Sequence, residues 1–498
     1  MPIPVKLLDQ NPWWRDPTAI RGDKDLVALD QAKIKWEPRL KHAFRWDEDL
    51  VYTLRGPRQV GKTTLVKQKI AELVSVGDPR NVFYYTCNLV DSARELAEIV
   101  TEFLDSAEGR KGRKHVFIDE VSSVRDWQKA IKHLADTGKL VNTTMVLTGS
   151  HTIDIKAASE RLPGRRGMTG DSLDKILLPM KFAEYAETVD GEVKKLCRRL
   201  SLLPADVRRK CVMKLADGEI PAEVDELHLY LGGLTRLFED YLITGGLARV
   251  VDEYSSRGGI REAVYKTYLD AVMGDLSRWN KREAYVRQVL SRVIATVGTP
   301  VGWNTLRQST DIASHSTVAE YIDTIKDTFA LIYLHRLDSA RGVPAYQKEK
   351  KVYFPDPFFF HTFRAWTTGH EPFADSLEFL KRESNLGVLS ECVVADHLTR
   401  LAFSLAGQRQ MFDYQNTLFY WKGRTGREVD FVMKLTEARY LPIEVKYQRQ
   451  INVADRFGLI DFAKANPHPG RSIMLTKDVL GVRSKSTLVP VCVFLMLI

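Results

Sequence analysis

Residues 50–64 read LVYTLRGPRQVGKTT, an apolar run, a glycine-bearing turn, and then a lysine followed by two threonines. From Gly56 to Thr63 the turn matches G-x-x-x-x-G-K-[ST]. It lies between a strand-like run and a stretch of helical spacing, the context a phosphate-cradling loop requires. Gly56 and Gly61 permit the backbone geometry that turns successive N–H groups towards phosphate. Pro57, Arg58, Gln59 and Val60 span the loop and Thr64 closes it, so residues 56–64 are the candidate nucleotide-binding set. Lys62 is expected to reach the β- and γ-phosphates and Thr63 to ligate Mg²⁺. The helix starting there adds its positive dipole end.

Working outward, HVFIDEV is an apolar run ending in two acids, Asp119 and Glu120. A carboxylate leaving the carboxyl end of such a strand emerges beside the loop. Asp119 is expected to hold Mg²⁺ through water, and Glu120 to orient and deprotonate the attacking water. Thr148, closing TTMVLT, is either a γ-phosphate or water contact or simply a β-branched strand end. Arg165 and Arg166 in LPGRRG form either a basic surface loop or the source of an arginine acting on a neighbouring subunit's ATP.

Strand and helix signals alternate through this region: strands at residues 50–54, 81–87, 115–118, 143–148 and 175–178, helices at 62–73, 93–104 and 127–137. The alternation predicts a three-layer α/β fold with a parallel sheet. Before it, residues 1–47 form an arm whose Trp13 and Trp14 are costly to leave in water and so should dock on a folded body. After it come a helical lid or connector (181–258), a winged-helix-like block (259–374) and a C-terminal block (375–498), the core itself being 48–180. At 498 residues the chain is too long for one ordinary core.

Read together, NPWW, YTLRGPRQVGKTT, IDEVSSVRDWQKAIKHLAD, LTGS and LPGRRG resemble the archaeal and bacterial AAA+ ATPases that carry an AAA_14-type domain. The resemblance continues through YLITGGLARVV, KVYFPDP and GREVDFVMK…LPIEVK into that family's C-terminal domain of unknown function. It implies an AAA-type sheet order and a homo-oligomer, a hexamer being one arrangement, with the ATP site near a subunit interface.

The C-terminal block places Glu391 on a helix, Asp430 on a strand, and Glu444 and Lys446 on one face of the next strand. Such a set binds a second divalent metal and activates water for phosphodiester cleavage, or it is a structural charge cluster. The pattern resembles the PD-(D/E)xK nuclease fold, with Glu391 as the added helix acid and Gln448 further along the same face. In the block before it, helices at 285–297, 303–308 and 316–329 precede strands at 331–336 and 351–354, the layout of a helix-turn-helix with a wing. Arg307, Gln308, His315, Ser316, Thr317 and Lys326 lie on or near its second helix, but so do Glu320, Asp323 and Asp327. The wing adds Arg336, Arg341, Lys348, Lys350 and Lys351, placed for phosphate contacts.

A formal charge of +9 and a pI near 9.1 favour anionic partners such as DNA without requiring them. With 44% apolar and 28% charged residues the chain is globular rather than disordered. No run approaches the ~18 apolar residues that span a membrane, the start lacks a leader, and the five cysteines are scattered. These point to the cytoplasm. The apolar end, VPVCVFLMLI, is expected to be a buried strand. Three functions fit: a Mg-dependent ATPase that remodels or translocates on DNA, branched DNA included; a nucleotide-dependent switch acting on a protein partner; and an ATP-gated metal-dependent nuclease.

Overall fold

The structure is a computed structural model that describes residues 5–149, 162, 164–167, 172–405, 414–437, 439–466 and 470–498. Ser150 of LTGS and Pro163 of LPGRRG lie outside the described residues. The chain forms two compact units, one spanning Met1–Leu178 and one beginning at Pro179.

The first unit is built on five parallel strands: β1 (Leu50–Arg55), β2 (Val82–Thr86), β3 (Lys114–Asp119), β4 (Thr143–Thr148) and β5 (Asp174–Ile176), in the order β2-β3-β4-β1-β5. All six residues of β1 are buried, as a central strand covered on both faces by helices should be. The register sets Leu54 opposite Thr148 and Thr86 opposite Asp119, so these residues share the carboxyl edge of the sheet. The helix Lys62–Val76 starts at that edge.

The arm docks on β2, an edge strand whose outward-facing backbone groups need partners. The indole N–H groups of Trp13 and Trp14 both donate to the Val82 carbonyl, at 3.0 and 2.8 Å. Asn11 accepts from Tyr84 N at 2.7 Å and donates to Tyr84 O at 2.9 Å, while the Gln10 side chain accepts from Thr86 N at 2.8 Å. Side chains thus replace a missing neighbour strand, and Trp14 stacks on Phe83 and Phe103 beneath them.

The second unit opens with helices from Phe182–Val189 to Glu262–Arg278. Helices Glu283–Ala295, Trp303–Arg307 and His315–Asp327 follow, then a hairpin in which β6 (Ile332–His335) pairs antiparallel with β9 (Lys350–Tyr353). Between them β7 (Leu337–Asp338) and β8 (Val343–Pro344) form a smaller ladder. After the long helix Glu383–Leu405, a mixed six-stranded sheet is formed by β10 (Leu418–Lys422), β11 (Glu428–Thr436), β12 (Arg439–Lys446), β13 (Ser472–Thr476), β14 (Gly481–Arg483) and β15 (Ser486–Pro490), in the order β10-β11-β12-β13-β15-β14. The chain end corrects one expectation. It is buried, but Val491–Leu495 is helical, capped at Pro490, because an unbroken apolar run carries no period that separates strand from helix.

Candidate functional site

The loop 56–61 takes backbone that only its sequence tolerates. Gly56 has φ +152, and a Cβ there would meet the Leu177 carbonyl oxygen at 2.0 Å; Gly61 has φ +104 and begins the helix. Lys62 is buried, and its ammonium donates to the carbonyls of Gly56 and Pro57, both at 2.9 Å. The lysine therefore sits inside the curl of the loop.

Asp119 is 3% exposed and is the hub of the site. Thr63 donates to its Oδ2 at 2.9 Å, Tyr84 donates to the same oxygen at 3.0 Å, and Thr148 donates to Oδ1. A serine-or-threonine hydroxyl beside a carboxylate is an oxygen pair suited to a hard cation, so the donor set fits Mg²⁺. Glu120, half-buried, follows in the left-handed region at φ 55, ψ 36, a conformation that costs a non-glycine residue about 1 kcal/mol. That turn redirects the chain after the strand and separates the side chains of two adjacent acids. Tyr84 is buried, and burial together with the charge of Asp119 pushes its hydroxyl well above the ordinary tyrosine range, so it stays a donor.

The two loop arginines part company. Arg166 is buried: its guanidinium donates to the carbonyls of Val51 and Leu173, to Thr53 Oγ1 and to both carboxylate oxygens of Asp174. It ties β1 to β5, and the proposed role on a neighbouring subunit does not suit it. Arg165 is partly exposed and pairs with Asp136 at 2.7 Å.

Residues 48–186 match the AAA_14 family model, described as an AAA domain. This segment has the fold of an AAA-type P-loop ATPase. The sheet order and the phosphate loop are those of a P-loop ATPase of that type. Residues 235–369 match the DUF8612 model and 386–494 the DUF4143 model, both described as domains of unknown function. No curated protein matches the chain. Among solved structures it is similar to a Walker-type ATPase of Pyrococcus abyssi, at 15% identity and TM-score 0.37, over 63% of this chain and 91% of that one. It is also similar to the Orc1 protein of Aeropyrum pernix solved in complex with DNA, at 12% identity and TM-score 0.28, over 74% and 98%. A Thermotoga maritima RuvB matches at 19% identity and TM-score 0.24, over 64% and 89%.

In the second unit the structure does bring Glu391, Asp430, Glu444 and Lys446 together, but with a fifth member. Lys351, which the sequence places on a phosphate-binding wing, is buried, its ammonium 2.8 Å from Asp430 Oδ1 and 3.3 Å from Glu391 Oε1. Tyr353, two residues on along β9, donates to Glu391 Oε1 at 2.7 Å. Lys446 lies 2.6 Å from Glu444 Oε1, and Asp430 Oδ2 accepts from Val445 N at 3.0 Å. Burial and the Asp430 charge push Glu444 up to about 8 and also raise Glu391. Burial would raise Asp430 too, but the Lys351 and Lys446 ammoniums overcome it and hold that carboxyl below its ordinary value. The second divalent metal is not supported: an ammonium already lies between Glu391 and Asp430. Among the described residues no group of three or more His, Cys, Asp or Glu could hold a metal ion. Gln448 is turned instead to Asp455, at 2.9 Å.

The same burial corrects the wing. Lys350 is buried, donates to the Tyr346 carbonyl at 2.6 Å and lies 5.2 Å from the centre of the Trp303 ring; Arg336 donates to the Lys422 carbonyl. Arg341 and Lys348 remain exposed, as do His315 and Ser316 at the start of the helix His315–Asp327. The helix acids are engaged: Glu320 with Lys281, Asp323 with the Tyr333 hydroxyl at 2.8 Å, and Asp327 with Lys326 at 3.4 Å. All five cysteines are buried and none is in a disulfide, and no described helix is long and apolar enough to cross a membrane. Sequence reasoning missed Tyr84 and Lys351, the first hidden in an ordinary alternating strand and the second counted with its basic neighbours.

Proposed function

We propose that the chain binds ATP at residues 56–64, hydrolyses it with Mg²⁺, and couples turnover to DNA. The observation that carries this is Asp119, held by Thr63 and Thr148 at the carboxyl edge of the sheet beside a loop that encloses Lys62. Lys62 exchanges carbonyl partners for β- and γ-phosphate oxygens, a compact point charge moving a short distance. Thr63 and Asp119 hold Mg²⁺, which when bound neutralises charge on the phosphates. Glu120 orients the attacking water and takes its proton, and Thr148 contacts the γ-phosphate or that water. Arg165 serves a neighbouring subunit in a homo-oligomer.

Exposed Arg341 and Lys348 on the hairpin, with His315 and Ser316, make the DNA-facing set, and the overall charge of +9 favours it. Remodelling of or translocation on DNA, branched forms included, is the work this set supports, in the cytoplasm. The position of Lys351 argues against cutting by the C-terminal block. The test is ATP hydrolysis by the purified chain against Lys62→Ala, with single-stranded, duplex and four-way-junction DNA. Activity that vanishes in the variant and rises with one DNA form supports the reading. Hydrolysis indifferent to every DNA would favour the switch acting on a protein partner.

A further inference from the structure

The arm does more than cover an edge. We propose that it is a working part of the ATP site: by clamping β2 it holds the Tyr84 hydroxyl on Asp119, which makes Tyr84 a positioning residue for the magnesium-ligating carboxylate. The proposal rests on the reading of Asp119 given above.

Two routes lead from the arm to that hydroxyl. The first is the strand. Asn11 fixes both backbone polar groups of Tyr84, the two tryptophans fix Val82, two before it, and Gln10 fixes Thr86, two after it. Tyr84 is thus the middle of a clamp: β2 pairs with β3 as far as Asp119, and the Tyr84 hydroxyl carries that rigidity on to the Asp119 carboxylate. The second route is the loop helix. Asp23 of the arm holds Lys67 at 2.8 Å, and the Lys67 ammonium lies 3.8 Å from the centre of the Tyr84 ring. Lys67 stands four residues after Thr63, so both face the same side of the helix, the side turned to Asp119.

Why Asp119 needs this partner follows from what its other partners must do. Thr63 donates to Oδ2 in the structure, but a threonine that ligates a cation turns its oxygen lone pairs to it and its hydroxyl proton elsewhere. Tyr84 has no such second duty. It is the donor that keeps Oδ2 aimed when Thr63 is called to the metal, and an aimed carboxylate loses less freedom on binding.

The experiment measures binding of a fluorescent N-methylanthraniloyl ATP by the full chain, in EDTA and across a Mg²⁺ titration. Tyr84→Phe keeps the ring, its contact with Lys67 and the fold, and removes only the hydroxyl. We expect affinity in EDTA to match wild type while the gain on adding Mg²⁺ falls about 10-fold, the worth of one hydrogen bond to a charged group. Asn11→Ala should show the same selective loss, tying it to the arm. A Tyr84→Phe chain with the wild-type Mg²⁺ gain, or a larger one, would overturn the role of Tyr84. A normal gain in Asn11→Ala would overturn that of the arm. A wild-type chain that ignores Mg²⁺ would instead overturn the reading of Asp119 itself.

Discussion

Two buried carboxylates, Asp119 in the first unit and Asp430 in the second, each lie on the strand next to an edge strand of their sheet and each take several hydrogen bonds. Their partners differ in kind. Asp119 is served by hydroxyls from Thr63, Tyr84 and Thr148 and by the Glu120 N–H, at 3.2 Å. Asp430 is served by the Lys351 ammonium and a backbone N–H, with Lys446 next to its neighbour Glu444. A hydroxyl can rotate and turn an oxygen to an arriving cation. An ammonium is itself the cation and offers no lone pair. One site is therefore open to a metal and the other is already satisfied.

The largest expected effect comes from removing the built-in cation. Lys351→Met should destabilise the fold by about 3–5 kcal/mol, because the buried Asp430 and Glu391 lose the ammonium that lies between them. Urea unfolding measures it, and adding Asp430→Asn should recover part of the loss through a non-additive cycle. A neutral Lys351→Met would break the comparison.

Glu444 gives the next effect. Its folded-state pKa of about 8 lies above the unfolded value near 4.5, so the stability it contributes is present below that lower value and is lost as pH rises towards 8. Glu444→Gln, which keeps the neutral form, should flatten the fall in stability between pH 4.5 and 8 by on the order of a few kcal/mol. Thermal unfolding across that range shows it; a variant whose profile parallels wild type would contradict a protonated Glu444.

The smallest effect on stability belongs to the open site. Thr63→Val should cost the fold about 1.5 kcal/mol, one hydrogen bond to a charged group, yet remove the Mg²⁺-dependent part of nucleotide affinity. Stability and binding measured on one sample sharpen the contrast. A large stability loss without a binding defect would make Thr63 structural.

The first site was legible because its chemistry is local in sequence. Gly56, Lys62 and Thr63 stand within eight residues, and Asp119 ends an apolar strand whose place in the sheet follows from strand–helix alternation. The second site was legible only in part, because its deciding residue comes from afar. Lys351 lies 79 positions from Asp430, on a hairpin that reads as a basic surface loop until its strands are paired. Arg166 misled for the same reason. Its neighbours in sequence are a glycine-rich turn, while its partners Val51, Thr53 and Asp174 come from two strands that meet only in the fold. NPWW signalled docking, but not that its target is the strand carrying Tyr84.

The most direct test is a titration of the full chain with Mn²⁺ and a non-hydrolysable ATP analogue, followed by electron paramagnetic resonance of free Mn²⁺. We predict saturation at a single ion per chain, lost in Asp119→Asn and retained in Glu444→Gln. A second ion of comparable affinity, or one that survives Asp119→Asn and disappears with Glu444→Gln, would contradict the account.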